Sequence, residues 1–246
     1  MKKTILVAIL ISCLAATGQA TIINVPGGKP NLQAAFAAAQ DGDSILLAAG
    51  VHIGKGNRGL DVAGRELALI GAGSALTIVD CENDGGFLES HFPGSSNLIL
   101  QGIAIRNATG ENLGGAIDIG YGMAELTDLR FENCAADYQG GALYLRSNTT
   151  ICRDLYFENC QAGSYGGAIF NQLGSAWCFD SRIVNCDAGV AGGAVSSLYA
   201  DFHFLDGLIT GCSTPAPGGV YDGHGIIQRS TIAHNQGSAI KSGTII

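Results

Sequence analysis

The amino-acid sequence predicts an all-β fold, a parallel β-helix in which the chain winds into stacked coils of 26 residues. Glycine pairs followed by apolar residues recur at this spacing: GGAI begins at Gly114, GGAL at Gly140, GGAI at Gly166 and GGAV at Gly192. Other residue types repeat in step with them. Because a solenoid places equivalent residues of successive coils above one another, a gap-free repeat of this length indicates stacked coils.

Three polar columns and one apolar column keep the same spacing as the glycines. They are Asn107, Asn133, Asn159 and Asn185; Cys134, Cys160, Cys186 and Cys212; Asp128, Asp154, Asp180 and Asp206; and the apolar Phe131, Phe157, Ile183 and Ile209. Four columns in one register show that the unit is structural rather than a consequence of composition. The asparagine and cysteine columns are therefore predicted to be structural ladders.

Each unit contains two predicted strands and no helical stretch. The run DLRFENC, residues 128–134, alternates apolar and polar side chains, which is typical of a half-buried strand. A second short strand follows the glycines, over residues 142–145. A leucine-rich repeat could have the same length, with a helical arc in each unit. The Gly- and Ser-rich half of each block instead favours strands on all sides.

The close spacing of coils explains the glycine pairs. Successive coils lie about 4.8 Å apart, so a residue at a tight corner needs a positive φ angle or must lack a Cβ atom. Glycine meets this need at one corner. Asparagine tolerates the left-handed conformation at another corner, and its side chain is expected to hydrogen-bond to the asparagine one coil away.

The N-terminus predicts export from the cell. Residues 1–20 contain two lysines, an apolar run and a small-residue cleavage site, as in a removable signal peptide. Lipidation at Cys13 is the alternative. No later run reaches the roughly 20 apolar residues that span a membrane. The mature protein is therefore predicted to be secreted, periplasmic or on the surface of a bacterial cell, without a transmembrane segment.

Charge and cysteine content limit the partners. The chain has 13 basic and 21 acidic side chains, a net charge of −8, and cleavage of the signal peptide would remove Lys2 and Lys3. Nucleic acid is excluded as a partner because phosphate binding needs a basic surface. Of eight cysteines, one lies in the signal peptide. The odd number that remains predicts at least one thiol that is unpaired or pairs with another chain.

The mature chain, residues 21–246, is predicted to form one β-helix domain of roughly eight coils. An N-terminal cap covers residues 21–42, in which Asn31 is a helix N-cap. The helix would bury one face, formed by Leu32, Ala35, Phe36 and Ala39. Regular coils occupy residues 114–217. The last residues read as a strand, so the C-terminal end is predicted to be uncapped and able to stack end to end on another subunit.

Several segments also carry a family resemblance: NLQAAFAAAQDGDSILLAAGVH, LIGAGSALTIVDCENDGGF, and the repeated FENC runs followed by GGAI or GGAL. They resemble the pectin-lyase-like superfamily of right-handed parallel β-helix proteins. The repeats are also similar to those of chlamydial polymorphic outer-membrane proteins. The resemblance implies a right-handed solenoid. The superfamily includes polysaccharide lyases, hydrolases, esterases, epimerases and adhesins, so the fold alone does not select a function.

Five outward positions beside the apolar column form the predicted ligand-binding group. They are Arg130, Glu132, Tyr156, Glu158 and Arg182. Charged donors and an aromatic ring in vertical register suit hydrogen bonding to sugars and stacking on them. The alternative is a solvated strand face.

The remaining candidate residues each have a structural alternative. The aspartate column could bind Ca²⁺, which takes several oxygen ligands, but one Asp at the same corner of each coil is also what a turn preference produces. His224 lies in a GHG run, as in the polygalacturonases that share this fold, and is the candidate catalytic residue. The accompanying carboxylate motifs are missing. The cysteine column could form disulfides or remain a stack of reduced core residues, which the spacing favours.

The leading functional prediction is a non-enzymatic surface protein that presents a sheet face to polysaccharide or to another protein. The alternative is a polysaccharide lyase or glycoside hydrolase that acts on an acidic glycan. A second alternative is a structural spacer within a longer repeat protein. An enzyme should bring carboxylate, basic and aromatic groups together in one cleft, whereas an adhesin should present an uninterrupted stripe.

Overall fold

The computed structural model describes residues 20–90, 97–215 and 218–245, with the backbone alone for residues 242–245. The predicted signal peptide up to residue 19, including Cys13, lies outside these ranges, as does Ile246. The described chain is a parallel β-solenoid of about eight turns. The predicted fold class is therefore confirmed.

Short parallel strands make up nearly the whole solenoid. In chain order they are β1 Ile22–Val25, β2 Ser44–Leu47, β3 Gly50–His52, β4 Leu60–Asp61, β5 Leu67–Gly71, β6 Thr77–Asp80, β7 Leu88–Ser90, β8 Asn97–Arg106, β9 Thr109–Gly110, β10 Ile117–Ile119, β11 Gly122–Glu132, β12 Ala135–Ala136, β13 Leu143–Arg146, β14 Asn148–Glu158, β15 Gln161–Ala162, β16 Ile169–Gln172, β17 Ser175–Phe179, β18 Arg182–Val184, β19 Asp187–Ala188, β20 Val195–Leu205, β21 Leu208–Thr210, β22 Gly219–Gln228, β23 Thr231–Ala233 and β24 Ser238–Ile245. A helix, α1 Leu32–Ala38, and a 3₁₀ turn, Lys55–Asn57, lie near the N-terminus.

Parallel pairing from coil to coil builds three walls and one narrow sheet. Wall A contains residues 22–25, 44–47, 67–71, 97–101, 123–127, 149–153, 175–179, 201–205 and 224–228. Wall B contains residues 50–52, 77–80, 103–106, 129–132, 155–158, 182–184, 208–210 and 231–233. Wall C contains residues 60–61, 88–90, 117–119, 143–146, 169–172, 195–198, 219–222 and 238–242. Strands β9, β12, β15 and β19 form the narrow sheet.

The register confirms the 26-residue period in the regular coils. Leu143 pairs with Ile169, and Ile169 pairs with Val195. Coils nearer the N-terminus depart from this period in both directions: Ile22 pairs with Ser44, 22 residues later, whereas Leu67 pairs with Leu98, 31 residues later. The solenoid therefore holds equivalent side chains of neighbouring coils one above another.

The geometry of the corner gives each glycine of a pair its own structural explanation. Gly140 has a φ of 68°, which other residues rarely adopt. Gly141 has no positive φ, but a Cβ atom there would overlap the carbonyl oxygen of Gly167 in the next coil. Gly140 is needed for its backbone angle, and a Cβ atom there would also overlap the Leu143 carbonyl oxygen, whereas Gly141 is needed for its missing side chain alone. Both halves of the prediction are therefore confirmed.

The asparagines of the column adopt the left-handed backbone conformation at their corner, as predicted. Asn133 and Asn159 have φ angles of 53° and 54°, and the Asn159 Nδ2 donates to the Asn133 Oδ1 at 3.3 Å. Asn107 has the same conformation, but its Nδ2 donates to the Asp80 Oδ1 at 2.9 Å. Asn185 is also left-handed. The corner conformation is thus common to the column, whereas the side-chain partner varies.

Apolar columns and cysteines fill the interior. Phe131 and Phe157 stack with ring centroids 4.8 Å apart. The seven cysteines of the described residues are buried and carry free thiols. Burial raises the pKa of Cys160 and Cys186 well above the usual range. Because the thiolate is the reactive form, these sulfurs behave as small core groups.

The N-terminal helix caps the first coils as predicted. Asn31 is its N-cap, and the Asn31 Oδ1 accepts a hydrogen bond from the Ala34 backbone N–H at 2.9 Å. The predicted apolar face, formed by Leu32, Ala35, Phe36 and Ala39, is buried. Within the described ranges α1 is the one α-helix, so the leucine-rich alternative is wrong.

The strand boundaries differ from the prediction in one respect. The run predicted as one strand, residues 128–134, contains two corners, because Asp128 and Asn133 have φ angles of 50° and 53°. Strand β11 begins before this run and includes most of it. Its first residues belong to wall A and its last residues to wall B. Wall A was not predicted.

No helix in the described part of the chain is long and apolar enough to cross a membrane.

Candidate functional site

The five predicted ligand-binding residues lie together on the outer face of wall B. Arg130, Tyr156 and Arg182 are register partners in successive coils, and Glu132 pairs with Glu158. The Arg130 guanidinium lies 4.3 Å from the centroid of the Tyr156 ring and forms an ion pair with Glu132. The Arg130 Nη2 also lies 3.6 Å from a Glu158 carboxylate oxygen. Arg130 and Tyr156 are therefore occupied with their neighbours.

The aspartate column lies at the corner between walls A and B. Its members have φ angles between 50° and 57°. The Asp128 carboxylate accepts hydrogen bonds from the Ser74 backbone N–H at 3.1 Å and the Ser74 hydroxyl at 2.6 Å. Arg229 donates two 2.6 Å hydrogen bonds to Asp206 and lowers the pKa of that carboxyl group. These contacts favour the turn interpretation.

Because the aspartate column is interpreted as a turn feature, neither added Ca²⁺ nor removal of Ca²⁺ by a chelator is expected to shift the midpoint temperature of thermal unfolding. No group of three or more His, Cys, Asp or Glu side chains suited to a metal occurs in the described ranges. Asp154 has a φ of 52°, a conformation that asparagine tolerates, so Asp154→Asn should change stability by less than about 0.5 kcal/mol. Thermal unfolding with EDTA and with Ca²⁺ checks this. A Ca²⁺-dependent rise of several degrees that Asp154→Asn removes would establish a metal site instead.

A shallow polar groove follows the corner between walls C and A. We call it the corner groove. It has a volume of about 540 Å³ and is lined by residues 147–149, 173–175 and 199–201 of three successive coils, together with Gly122 and His224. Hydroxyl groups, backbone groups and one carboxylate, that of Asp201, therefore face a single concave surface.

Bulky residues occupy the turning point of this corner. Leu173 and Tyr199 have φ angles of 60° and 53°, yet their exposed fractions are 55% and 79%. A left-handed conformation costs a non-glycine residue about 1–2 kcal/mol. Gly122, which starts β11 at the groove, has a φ of 101° and carries no such strain. The groove thus presents an apolar side chain and an aromatic ring at positions where the backbone favours glycine.

An ordered aromatic pair borders the groove on wall A. Trp177 stacks on His203 with ring centroids 3.9 Å apart. The His203 Nδ1 accepts a hydrogen bond from the Ile226 backbone N–H at 3.2 Å, which fixes the imidazole. Trp177 remains 38% exposed and lies two residues beyond Ser175 of the groove lining. The pair therefore forms a rigid, partly apolar rim.

His224 lines the corner groove, where it is the register partner of Asp201. The glycines on either side of it have a packing explanation. A Cβ atom at Gly225 would overlap the Phe202 carbonyl oxygen, and one at Gly223 would overlap the Ser197 side chain. The GHG run is thus accounted for by the close approach of neighbouring coils, and a catalytic role of His224 stays a prediction.

A second group of polar side chains lies on the outer face of wall C. We call Glu89, Asp118, Tyr144 and Arg146 the carboxylate cluster. Asp118 is the register partner of Glu89 on one side and of Tyr144 on the other. Glu89 and Asp118 line a cavity of about 470 Å³. The Tyr144 hydroxyl donates to the Gln172 Oε1 at 2.6 Å, and burial raises the pKa of Tyr144.

No protein-family model matches this chain, and no curated protein matches it. Among solved structures it is similar to a pectin methylesterase from carrot, with a TM-score of 0.48 and 13% identity over 94% of this chain and 89% of that one. It is also similar to a pectin methylesterase mutant in complex with a hexasaccharide, with a TM-score of 0.47 and 16% identity over 93% and 81% of the two chains. Pectin methylesterases have a right-handed parallel β-helix, the fold that the family resemblance implies.

Apart from His224, the sequence columns do not predict the corner groove, and they do not predict the carboxylate cluster. Those columns are nearly invariant, whereas the groove lining varies from coil to coil: Thr149, Ser175 and Asp201 share one column of wall A. A signal was present. The run SAWCF, residues 175–179, alternates outward and inward side chains and carries the chain's single tryptophan. Searching the repeat for columns that change in polarity would have indicated this face.

Proposed function

We propose that this protein is exported and binds polysaccharide in the corner groove without cleaving it. The observation that carries the proposal is Tyr199, which is 79% exposed in a strained conformation beside a polar groove. Strained residues persist where the surrounding structure and function hold them. A sugar ring has an apolar face that packs on an aromatic ring, and hydroxyl groups at its edge that bind polar side chains.

The groove has the length and order that an extended polymer needs. Three successive coils contribute equivalent segments to its lining, at an interval of about 4.8 Å per coil. Parallel pairing holds these segments, so little side-chain or backbone freedom is lost on binding. Repeated, preordered polar positions next to an exposed ring favour a repeating ligand over a single small molecule.

The test is Tyr199→Asn. Asparagine adopts the left-handed conformation readily, so the melting temperature should stay the same or rise, while affinity for a bound oligosaccharide should fall at least about tenfold, or about 1.4 kcal/mol. Trp177 is the only tryptophan, and its emission beside the groove reports binding directly. Glycan arrays identify the oligosaccharide, and fluorescence titration measures its affinity.

Tyr138→Asn is the matched control. Tyr138 is 60% exposed and is not part of the groove lining, so its replacement should leave the affinity unchanged. Equal affinity of wild type and Tyr199→Asn, or a loss as large in Tyr138→Asn, would contradict the proposed site. Absence of binding to every glycan on the array would contradict the function.

A carbohydrate-active enzyme is the second candidate function. The carboxylate cluster favours it, because Glu89 and Asp118 are adjacent across two coils beside an aromatic and a basic side chain. Glycoside hydrolysis uses such a carboxylate pair. Release of new reducing or unsaturated ends from the bound glycan, lost in Asp118→Asn, would select the enzyme. Recognition of a surface protein and end-to-end stacking of subunits stay predictions.

A further inference from the structure

We infer that the ligand of the corner groove is an uncharged polysaccharide rather than a polyuronate. The inference rests on the proposed function, since it names the class of glycan that the same groove binds. Three observations carry it: the charges that line the groove, the contacts of two arginines close to the lining in sequence, and the apolar surface at the corner.

The groove lining carries one carboxylate and no lysine or arginine. Its titratable side chains are those of Asp201 and His224, in register on neighbouring strands of wall A, and that of Tyr199. The other polar side chains of the lining are the hydroxyls of Ser147, Thr149 and Ser175, and Asn148. Hydroxyl and carboxylate oxygens accept hydrogen bonds from sugar hydroxyls, and the lining holds no lysine or arginine that would neutralise a uronate.

Two arginines that are close in sequence to the groove lining are directed towards aromatic rings. The Arg153 guanidinium lies 4.8 Å from the centroid of the Phe179 ring, and that of Arg146 lies 6.0 Å from the Tyr121 ring. Bidentate arginine is the usual partner of a carboxylate ligand. Here the arginines flank the groove instead of lining it, and the whole chain carries a net charge of −8.

The corner itself offers apolar surface. Leu173 and Tyr199 are exposed at equivalent positions of successive coils, so together they form a shelf along the groove. The unsubstituted faces of a neutral pyranose chain can lie on this shelf. A uronate placed near Asp201 would instead meet a like charge, and at about 4 Å in water this repulsion corresponds to about a fivefold loss of affinity.

The experiment compares a neutral β-linked hexose oligomer with an oligogalacturonate of equal length on the full chain. Trp177 emission is titrated at constant pH in about 0.01 M and about 1 M salt, with EDTA and with Ca²⁺. We expect the neutral oligomer to bind with little dependence on salt, and the oligogalacturonate to bind at least about fivefold more weakly at low salt. High salt should reduce this difference, because it screens the repulsion.

Two aspartate variants with the same change in net charge locate the effect. Asp201→Asn should reduce the preference for the neutral oligomer over oligogalacturonate about fivefold. Asp137 is exposed outside the groove, so Asp137→Asn should leave this preference unchanged. Stronger binding of oligogalacturonate at low salt, or binding that requires Ca²⁺, would overturn the inference and leave the proposed function intact. Failure of both oligomers and of every polymer on a glycan array would overturn the proposed function itself.

Discussion

Gly167→Ala is expected to destabilise the protein by at least about 3 kcal/mol, the upper part of the range for overpacking a close-packed interior. An added Cβ atom would overlap the carbonyl oxygens of Gly193 and Asp187. Both obstacles are backbone atoms, so no side chain can rotate away. Relief requires the neighbouring coils to separate, and this breaks the parallel hydrogen bonds on either side of the corner. Denaturant unfolding followed by circular dichroism measures the loss.

Gly86→Ala provides the matched control. Gly86 is the second glycine of an equivalent pair, but a Cβ atom there would lie 3.5 Å from the Gly115 carbonyl oxygen, an ordinary contact. Alanine restricts the unfolded chain, so this variant should be neutral or more stable by about 0.5 kcal/mol. Similar losses in the two variants would show that coil spacing is not what requires glycine at this corner.

Phe157→Ala is expected to cost about 3–5 kcal/mol. Phe157 is fully buried in wall B and stacks on Phe131 with ring planes 9° apart. Removing the ring leaves a cavity that the neighbouring coils cannot close, because their spacing is fixed by parallel hydrogen bonds. The aromatic stacking contribution is lost as well. Equilibrium denaturation compares the variant with wild type.

Phe157→Ile separates the loss of volume from the loss of the aromatic ring. Ile183 is the register partner of Phe157, so isoleucine already fits this column one coil away. A loss of less than about 1.5 kcal/mol is expected for this variant. If Phe157→Ile were as damaging as Phe157→Ala, stacking of the two rings, rather than filling of the interior, would be the main contribution of this column.

Both destabilising variants also bear on the corner groove. The groove is assembled from equivalent segments of successive coils, and Gly167 and Phe157 lie within these coils but are not part of the groove lining. Any protein that remains folded after Phe157→Ala should retain oligosaccharide binding, because wall A is supported by its own register. Phe157→Ala is therefore expected to lower stability without affecting binding, whereas Tyr199→Asn is expected to weaken binding without lowering stability.

Much of the fold could be predicted because its determinants are local and repeated. The corner glycines, the left-handed asparagines and the buried apolar column each require one residue type at one position of every coil. The short helix after Asn31 followed from its N-cap and its apolar face. Alternation alone predicts one strand over residues 128–134, whereas the turn interpretation of the aspartate column and the left-handed asparagine column account for the corners at Asp128 and Asn133.

The candidate sites could not be predicted in the same way. Tyr199 reads as an isolated aromatic residue until its φ angle and its exposure are known together. The predicted group around Arg130 was placed correctly in register, but its side chains pair with one another. Glu89 lies before the regular glycine period and is 29 residues from Asp118, so only the pairing of β7 with β10 shows that they are neighbours.

The sequence by itself determined the solenoid, since a repeated unit can bury its apolar face only by stacking on its neighbours. It also determined the acidic charge that disfavours anionic partners. The tertiary structure alone decided which outward side chains share a surface and which of them are already paired. The physical reason is that coil stacking depends on what every repeat has in common, whereas a binding surface depends on how neighbouring repeats differ and on contacts between residues distant in the chain.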